Sequence, residues 1–231
     1  MTNLISYNLI KKTGIIFYEN NKTIRKFARN NNSLKLLRND LKGYNWFKSI
    51  LKSKNIILKD CKIKNTYIDF PFHTGRSICY WNSLEENYNN ALRIVKFYEE
   101  YWPKKKITAC HGDLTFSNII FNKKSEPMII DWENFSNKEF WGIDICYFLI
   151  STIALPVIVK NKKRISEKDL QLFEKLWKNF YLNKKIHYLK NPILYLKKRY
   201  KKNFRYRNFN DYYLNNLNIF LQEQINEIIK K

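Results

Sequence analysis

The polar and apolar positions of the first 51 residues predict three short strands followed by a helix. The strands cover residues 5–10, 14–18 and 23–28, polar turns at 11–14 and 19–22 join them, and the helix covers residues 33–51. The period of two places Ile24, Lys26 and Ala28 on one face of the third strand. This order indicates a small antiparallel lobe at the start of the chain.

Two further short strands are predicted at residues 118–121 and 127–130, where apolar residues flank the polar turn 122–126. A hairpin of this kind brings the residue that opens its first strand close to the residue that follows its second. We therefore expect Asn118 and Asp131 to lie near each other.

The segment 143–159 is almost wholly apolar, interrupted by Asp144 near its start and Pro156 near its end. It is slightly shorter than the roughly 20 residues that cross a bilayer, so it predicts a buried core helix and not a membrane span. The last third of the chain predicts helices, one of which starts with the capping-box-like sequence 166–169 and runs to about residue 181.

The candidate chemistry is concentrated in two clusters of polar residues. The sequence H-G-D-x-x-x-x-N spans residues 111–118, and an apolar strand ending in D-W-E spans residues 129–133. Kinase-like folds arrange a base, an amide and a carboxylate in this way around a nucleotide's terminal phosphate. Asp113 has the chemistry to take a proton from an acceptor hydroxyl, and Asn118 and Asp131 offer the hard oxygens that suit Mg²⁺. The spacing therefore predicts phosphoryl transfer.

These motifs resemble those of the aminoglycoside phosphotransferase and choline kinase family, the small-molecule branch of the protein-kinase-like fold. The resemblance is strong over residues 107–150 and moderate over 15–50. It implies that Asp113 is catalytic and that Asn118 and Asp131 hold Mg²⁺. It also implies that Asp144 braces the catalytic loop, with an ordinary helix N-cap as the alternative. His111 is expected to pack and to form hydrogen bonds, and not to transfer protons.

The resemblance also requires a lysine that binds the nucleotide phosphates. Lys26 is the favoured residue, and Lys22 and Arg25 are its competitors. The helix that should supply a glutamate to hold this lysine contains none, and Asp40 occupies the expected place with a side chain one methylene shorter. No glycine-rich phosphate loop is present in the sequence, so binding of the nucleotide phosphates is assigned to Gly14 and nearby backbone amides. These departures support an alternative, a catalytically weak pseudokinase that binds nucleotides or anions.

Composition limits the remaining choices. The hydrophobic fraction of 45% and the aromatic fraction of 16% exclude global disorder. The four cysteines are scattered without a C-x-x-C pair, and no signal peptide is recognisable, which favours a cytoplasmic protein. The formal charge is +23, and residues 195–207 carry seven basic residues interleaved with four aromatics. A solvated basic helix face is the favoured interpretation of this segment, and binding to nucleic acid or to an anionic membrane surface is the less favoured one.

Together these observations predict a two-lobed, kinase-like α+β fold, with a nucleotide-binding lobe at residues 1–72 and a helical catalytic lobe at 73–231. A connector at residues 71–77 joins them. The predicted activity is a Mg²⁺-dependent transfer of the terminal phosphoryl group of ATP or GTP to a small-molecule hydroxyl. The excess of basic residues after residue 166 favours neutral or anionic acceptors such as sugars or sugar phosphates. The aromatic residues expected either to stack on a sugar or to form a cage around choline are Trp177, Tyr181, Tyr195, Tyr212 and Tyr213.

Overall fold

The structure is a computed structural model that describes residues 2–8, 13–19, 22–53, 56, 58–162, 164–182, 195–196 and 219–230. Antiparallel sheets and helices alternate along the described residues, so the prediction of an α+β protein is confirmed. Most of the basic and aromatic segment 195–207 lies outside the described residues, as do Tyr212 and Tyr213.

The N-terminal sheet has five antiparallel strands in the order β1-β2-β3-β5-β4. The strands are β1 (Thr2–Asn8), β2 (Thr13–Tyr18), β3 (Thr23–Ala28), β4 (Lys62–Ile63) and β5 (Tyr67–Pro71). The third predicted strand is confirmed residue for residue. The predicted turn at 11–14 is wrong at its end, because Thr13 and Gly14 already pair with β1 and β3. A Cβ on Gly14 would lie 2.1 Å from the Phe27 ring, so this glycine serves packing within the sheet.

One long helix, α1 (Asn31–Lys52), follows the third strand, close to the predicted range. Asn30 caps it: the Asn30 side chain accepts from the Ser33 backbone N–H, and the Ser33 hydroxyl contacts the Asn30 backbone N–H in return. Leu37, Phe47 and Leu51 recur at helical spacing and are all buried. These residues form one apolar face of the helix, and burial of that face stabilises the helix in the fold.

The predicted hairpin consists of β8 (Ile119–Phe121) and β9 (Pro127–Ile129), which are adjacent in the three-stranded order β6-β8-β9 with β6 (Arg76–Ser77). Its turn is closed by Asn122, whose side-chain oxygen accepts from the backbone N–H groups of Lys124 and Glu126. The first strand starts one residue later than predicted, because a 3₁₀ turn at Phe116–Asn118 precedes it. Two more strands, β7 (Ile107–Cys110) and β10 (Ser136–Phe140), pair with each other.

The other helices are α2 (Leu84–Tyr101), α3 (Ile143–Val159), α4 (Glu167–Trp177) and α5 (Ile219–Lys230). Every residue of α3 from Ile143 to Val157 is buried, which confirms the predicted core helix. None of the described helices is both long and apolar enough to cross a membrane. Cys110 and Cys146 are buried free thiols, and burial raises the pKa of Cys146 above its usual range.

The predicted start of α4 is confirmed at Ser166, whose hydroxyl accepts from the Asp169 backbone N–H at 3.1 Å. The Asp169 carboxylate does not complete the capping box on its own helix. It accepts instead from the backbone N–H of Glu85, at 2.9 Å, in the first turn of α2. This bond fixes α4 to the start of another helix, where an anion is favoured.

The chain forms two compact units that are discontinuous in sequence. Unit 1 contains Met1–Arg76, Ala109–Gly112 and Ile120–Asn137, and unit 2 contains Ser77–Thr108, Asp113–Ile119 and Lys138–Lys231. The chain passes from one unit to the other between Gly112 and Asp113, within the H-G-D motif. The assignment of residues 1–72 and 73–231 to kinase-like lobes stays a prediction.

Candidate functional site

In unit 1 the site is built around Lys26. Antiparallel pairing places Lys26 between Ile15 of β2 and Ile68 of β5, so its neighbours across the sheet are apolar. Its Nζ lies 2.5 Å from Asp40 Oδ2 and 2.8 Å from Asp131 Oδ1. The predicted lysine–aspartate ion pair is therefore present, and a residue from the D-W-E motif joins it.

The two competing cations have other surroundings. Arg25 forms a two-bond pair with Asp69, at 2.7 and 2.9 Å, and its guanidinium stacks 3.7 Å from the centre of the Tyr67 ring. Lys22 is exposed in the turn before β3 with a φ of 47°. Of these three basic residues, Lys26 is the one that contacts both Asp40 and Asp131.

The charges of this cluster depend on one another. Burial alone lowers the pKa of Lys26, but Asp131, Asp40 and Glu133 together raise it above its ordinary value. Burial also raises the pKa of Asp40, while the Lys26 ammonium and the Trp132 backbone N–H act in the opposite direction. The Lys26 ammonium is thus shared by two carboxylates, which favour its charged form.

Close packing explains how the short Asp40 side chain reaches its partners. Its second oxygen, Oδ1, accepts from the Trp132 backbone N–H at 2.7 Å. One turn further along α1, a Cβ added to Gly43 would lie 2.4 Å from Trp132 Cβ. The missing side chain of Gly43 lets the helix approach the D-W-E loop. Sequence reasoning missed this residue, although a glycine three positions after Asp40 in a helix was the available signal.

The backbone of the D-W-E loop has an unusual conformation at its first residue. Asp131 has a φ of 64°, in the left-handed region that is uncommon outside glycine. The Asp131 side chain is 40% exposed. Trp132, in contrast, is fully buried against Phe47 and His111, with ring centres 5.2 and 4.6 Å away. The buried indole anchors the loop beside a partly exposed carboxylate.

His111 is a structural part of the same unit. It is fully buried, and its Nε2 lies 2.8 Å from the backbone oxygen of Ile130. A carbonyl oxygen only accepts, so Nε2 carries the proton and donates. Gly112 follows with a φ of 86°, which provides the sharp turn expected after the histidine.

Unit 2 holds the predicted base and the predicted metal-ligating amide. The Tyr147 hydroxyl of α3 donates to Asp113 Oδ1 at 3.3 Å. Asn118 Nδ2 donates to the Asp113 backbone oxygen at 2.8 Å, which makes its Oδ1 the atom suited to a cation. Tyr147 was not expected from the sequence, and its position one helical turn after Asp144 was the only signal.

Asp144 is buried in the first turn of α3, but it is not the N-cap. The N-cap is Gly142, with a φ of 90°, so the alternative interpretation of Asp144 is wrong. Two tyrosine hydroxyls hold Gly142: Tyr98 accepts from its N–H at 3.0 Å, and Tyr181 donates to its carbonyl oxygen at 2.7 Å. The role of Asp144 in bracing the catalytic loop stays a prediction.

Two of the aromatic residues proposed to bind an acceptor belong to the core. Trp177 and Tyr181 are buried, and their rings stack on each other with centres 4.0 Å apart. Tyr195 is half-buried and donates to Glu139 at 3.0 Å. The proposal that Trp177 and Tyr181 stack on a sugar is therefore wrong, because their faces are already covered.

The residues that are present fit a magnesium–nucleotide group better than a protein-only metal site. The described part of the chain has no group of three or more His, Cys, Asp or Glu side chains arranged to hold a metal. Mg²⁺ needs no such cage, because it is usually held by one or two carboxylates together with phosphates and water. Asp131, partly exposed and beside a lysine, has the donor chemistry for that role.

Comparisons with known proteins add no family to these observations. No protein-family model matches the chain, and no curated protein matches it significantly.

Proposed function

We propose that this protein is a Mg²⁺-dependent phosphotransferase with a two-lobed kinase-like fold, which moves the terminal phosphoryl group of ATP or GTP to a hydroxyl of a small molecule. One observation carries the proposal. Lys26 pairs with Asp131, 105 positions away in the chain, and with Asp40, and these are three of the residues for which the sequence predicts nucleotide or metal roles. One of the two carboxylates, that of Asp131, is 40% exposed and therefore accessible to a ligand.

Each residue has a distinct role in this proposal. Lys26 binds a nucleotide phosphate and is oriented by Asp40. Asp131 and Asn118 would hold Mg²⁺, which neutralises charge on the phosphates when bound. Asp113 accepts a hydrogen bond from the acceptor hydroxyl and takes its proton as the new phosphorus–oxygen bond forms and the bond to the departing nucleoside diphosphate breaks, while Tyr147 orients the carboxylate. The acceptor is proposed to be a neutral or anionic molecule such as a sugar or sugar phosphate.

The pseudokinase alternative rested on two departures from the motif pattern. The first departure, Asp40 in place of the expected glutamate, no longer favours the pseudokinase, because the shorter carboxylate still contacts Lys26 at 2.5 Å. The missing glycine-rich loop remains as a reason, and residues 9–12 lie outside the described residues. Both interpretations are compatible with nucleotide binding, and they differ in Mg²⁺ dependence and turnover.

The decisive experiment combines binding with turnover. Affinity for a fluorescent ATP analogue is measured in Mg²⁺ and in EDTA, for the parent protein and for Asp131→Ala. Phosphorylation of amino sugars, neutral sugars, sugar phosphates and choline is then measured with Mg²⁺-ATP. We expect Mg²⁺ to strengthen binding in the parent and much less in Asp131→Ala. Equal affinity of the parent in Mg²⁺ and in EDTA would favour the pseudokinase.

A further inference from the structure

The side chain of Asn39 contacts the D-W-E loop without belonging to any of the recognised motifs. Asn39 lies in α1 next to Asp40 and is only 8% exposed. Its Nδ2 donates to the backbone oxygen of Glu133 at 2.7 Å and to that of Phe135 at 3.0 Å. Asp40 Oδ1 accepts from the Trp132 backbone N–H. Two adjacent residues of one helix thus hold three backbone groups of the segment that follows Asp131.

The chemistry of the two side chains matches what each of them holds. The amide of Asn39 supplies two N–H donors to two carbonyl oxygens, and the carboxylate of Asp40 supplies an acceptor to an N–H. An ionised carboxylate at position 39 has no N–H or O–H to donate, so it would be repelled by the two carbonyl oxygens. The order Asn39-Asp40 therefore fits this loop, and the exchanged order would not.

The held segment begins directly after a residue in a costly conformation. A left-handed φ at a residue other than glycine persists only when the surroundings enforce it. Asp131 has such a φ, and the loop after it is tied to α1 at Trp132, Glu133 and Phe135. Mutation of a group that orients a metal ligand without touching the metal typically costs about 10–100-fold in metal affinity or activity.

We propose that Asn39 is a positioning residue for the metal site, which acts by holding the backbone that presents the Asp131 carboxylate. This inference rests on the proposed function, because it takes Asp131 to be a metal ligand. Asn39 touches neither nucleotide nor metal in this assignment. Its effect is expected on the Mg²⁺ dependence of nucleotide binding, and not on binding without metal.

The test compares Asn39→Ala with Asn87→Ala. Asn87 is an equally buried asparagine, 6% exposed, in α2 of unit 2, and its Nδ2 also donates to a backbone oxygen, that of Cys79 at 3.1 Å. Both variants lose a buried amide hydrogen bond, and only one of them loses it at the D-W-E loop. Free Mg²⁺ is titrated into each protein with a fluorescent ATP analogue, and the melting temperature is recorded alongside.

We expect Asn39→Ala to need roughly 10-fold more free Mg²⁺ for half-maximal binding, within the usual range for residues that orient a metal ligand. Its affinity in EDTA should equal that of the parent, and Asn87→Ala should keep the parent's Mg²⁺ midpoint even if its melting temperature falls. Asn39→Ser, which keeps one donor and so disturbs folding less, should show a smaller shift in the same direction.

The outcomes separate this inference from the proposed function. If the parent depends on Mg²⁺ and both Asn39 variants keep its midpoint, Asn39 is a packing residue and the inference is overturned while the proposed function stands. A shift of equal size in Asn87→Ala would overturn it as well, since loss of any buried amide would then suffice. Binding by the parent that is independent of Mg²⁺ would overturn the proposed function together with the inference.

Discussion

Units 1 and 2 hold their predicted site residues by different forces. In unit 1, Lys26 contacts Asp40 and Asp131 at 2.5 and 2.8 Å, so the three side chains form an ion cluster. In unit 2, the Tyr147 hydroxyl donates to the Asp113 carboxylate and the Asn118 amide donates to the Asp113 backbone oxygen. Loss of Lys26 leaves two carboxylates, one of them buried, without the cation between them, whereas loss of the Tyr147 hydroxyl removes a hydrogen bond.

This difference predicts different consequences of mutation in the two units. The loss of one member of a buried ion pair is expensive because the remaining charge has given up its water. Mutation of the ion cluster in unit 1 is therefore expected to lower the stability of the fold, and under the proposed function it also lowers nucleotide affinity. In unit 2 the orientation of a carboxylate is expected to change with little cost to folding.

The largest effect is expected for Lys26→Met. This change leaves Asp40 and Asp131 without the cation between them, and should lower the free energy of unfolding by about 3 kcal/mol, the lower end of the range for a broken buried pair. Lys22→Met, in an exposed turn, should change it by less than about 0.5 kcal/mol. Urea denaturation followed by circular dichroism measures both. Equal losses in the two variants would mean that the ion cluster is not important for stability.

The second effect concerns turnover in unit 2. Asp113→Asn keeps the shape of the side chain but removes the charge that orients and deprotonates the acceptor, so the rate should fall roughly 100-fold or more. Nucleotide affinity and melting temperature should stay near those of the parent, in contrast to Lys26→Met. Initial rates with an identified acceptor, together with nucleotide titration, provide the measurement. Phosphorylation at the parent's rate would show that Asp113 is not the base.

A third prediction concerns the close approach of α1 to the D-W-E loop. Alanine in place of a mid-helix glycine normally stabilises a helix by about 1 kcal/mol. At Gly43 the new Cβ would lie 2.4 Å from Trp132 Cβ, so Gly43→Ala should instead destabilise the protein, by about 1–3 kcal/mol. Asn45→Ala, at an exposed position of the same helix, is the control. If Gly43→Ala raised the melting temperature, the contact would not be tight.

The two units also differ in how much of each the sequence could predict. Strand periodicity puts Lys26 on the same face as Ile24 and Ala28, the place of Asp40 in the helix predicts an ion pair with it, and the structure contains that pair. Gly43 and Asn39 were missed. Their partners are the backbone and side chains of residues 132–135, about 90 positions away in the chain, and no local pattern encodes such contacts.

In unit 2 the motif spacing predicts roles for Asp113 and Asn118 but does not predict the residues that surround them. Tyr147 resembles any other aromatic in an apolar helix, and only the packing of α3 directs its hydroxyl to Asp113. The prediction that Trp177 and Tyr181 bind an acceptor was wrong for the converse reason. The sequence alone does not distinguish an aromatic residue that stacks in the core from one that lines a binding site. Periodicity predicts which elements form, and tertiary packing decides which face each side chain meets.

The smallest effect is expected for Tyr147→Phe. A hydrogen bond to a charged group contributes about 1.5–3 kcal/mol, and the 3.3 Å bond to Asp113 is long, so turnover should fall roughly 5-fold with nucleotide affinity unchanged. Tyr181→Phe also removes a buried hydroxyl in unit 2, but that hydroxyl donates to Gly142, so this control should lose stability and keep its turnover. In an Asp113→Asn background, Tyr147→Phe should have no further effect, because the tyrosine acts through the base. An equal loss of turnover with and without the Asp113 carboxylate would instead assign Tyr147 to the packing of α3.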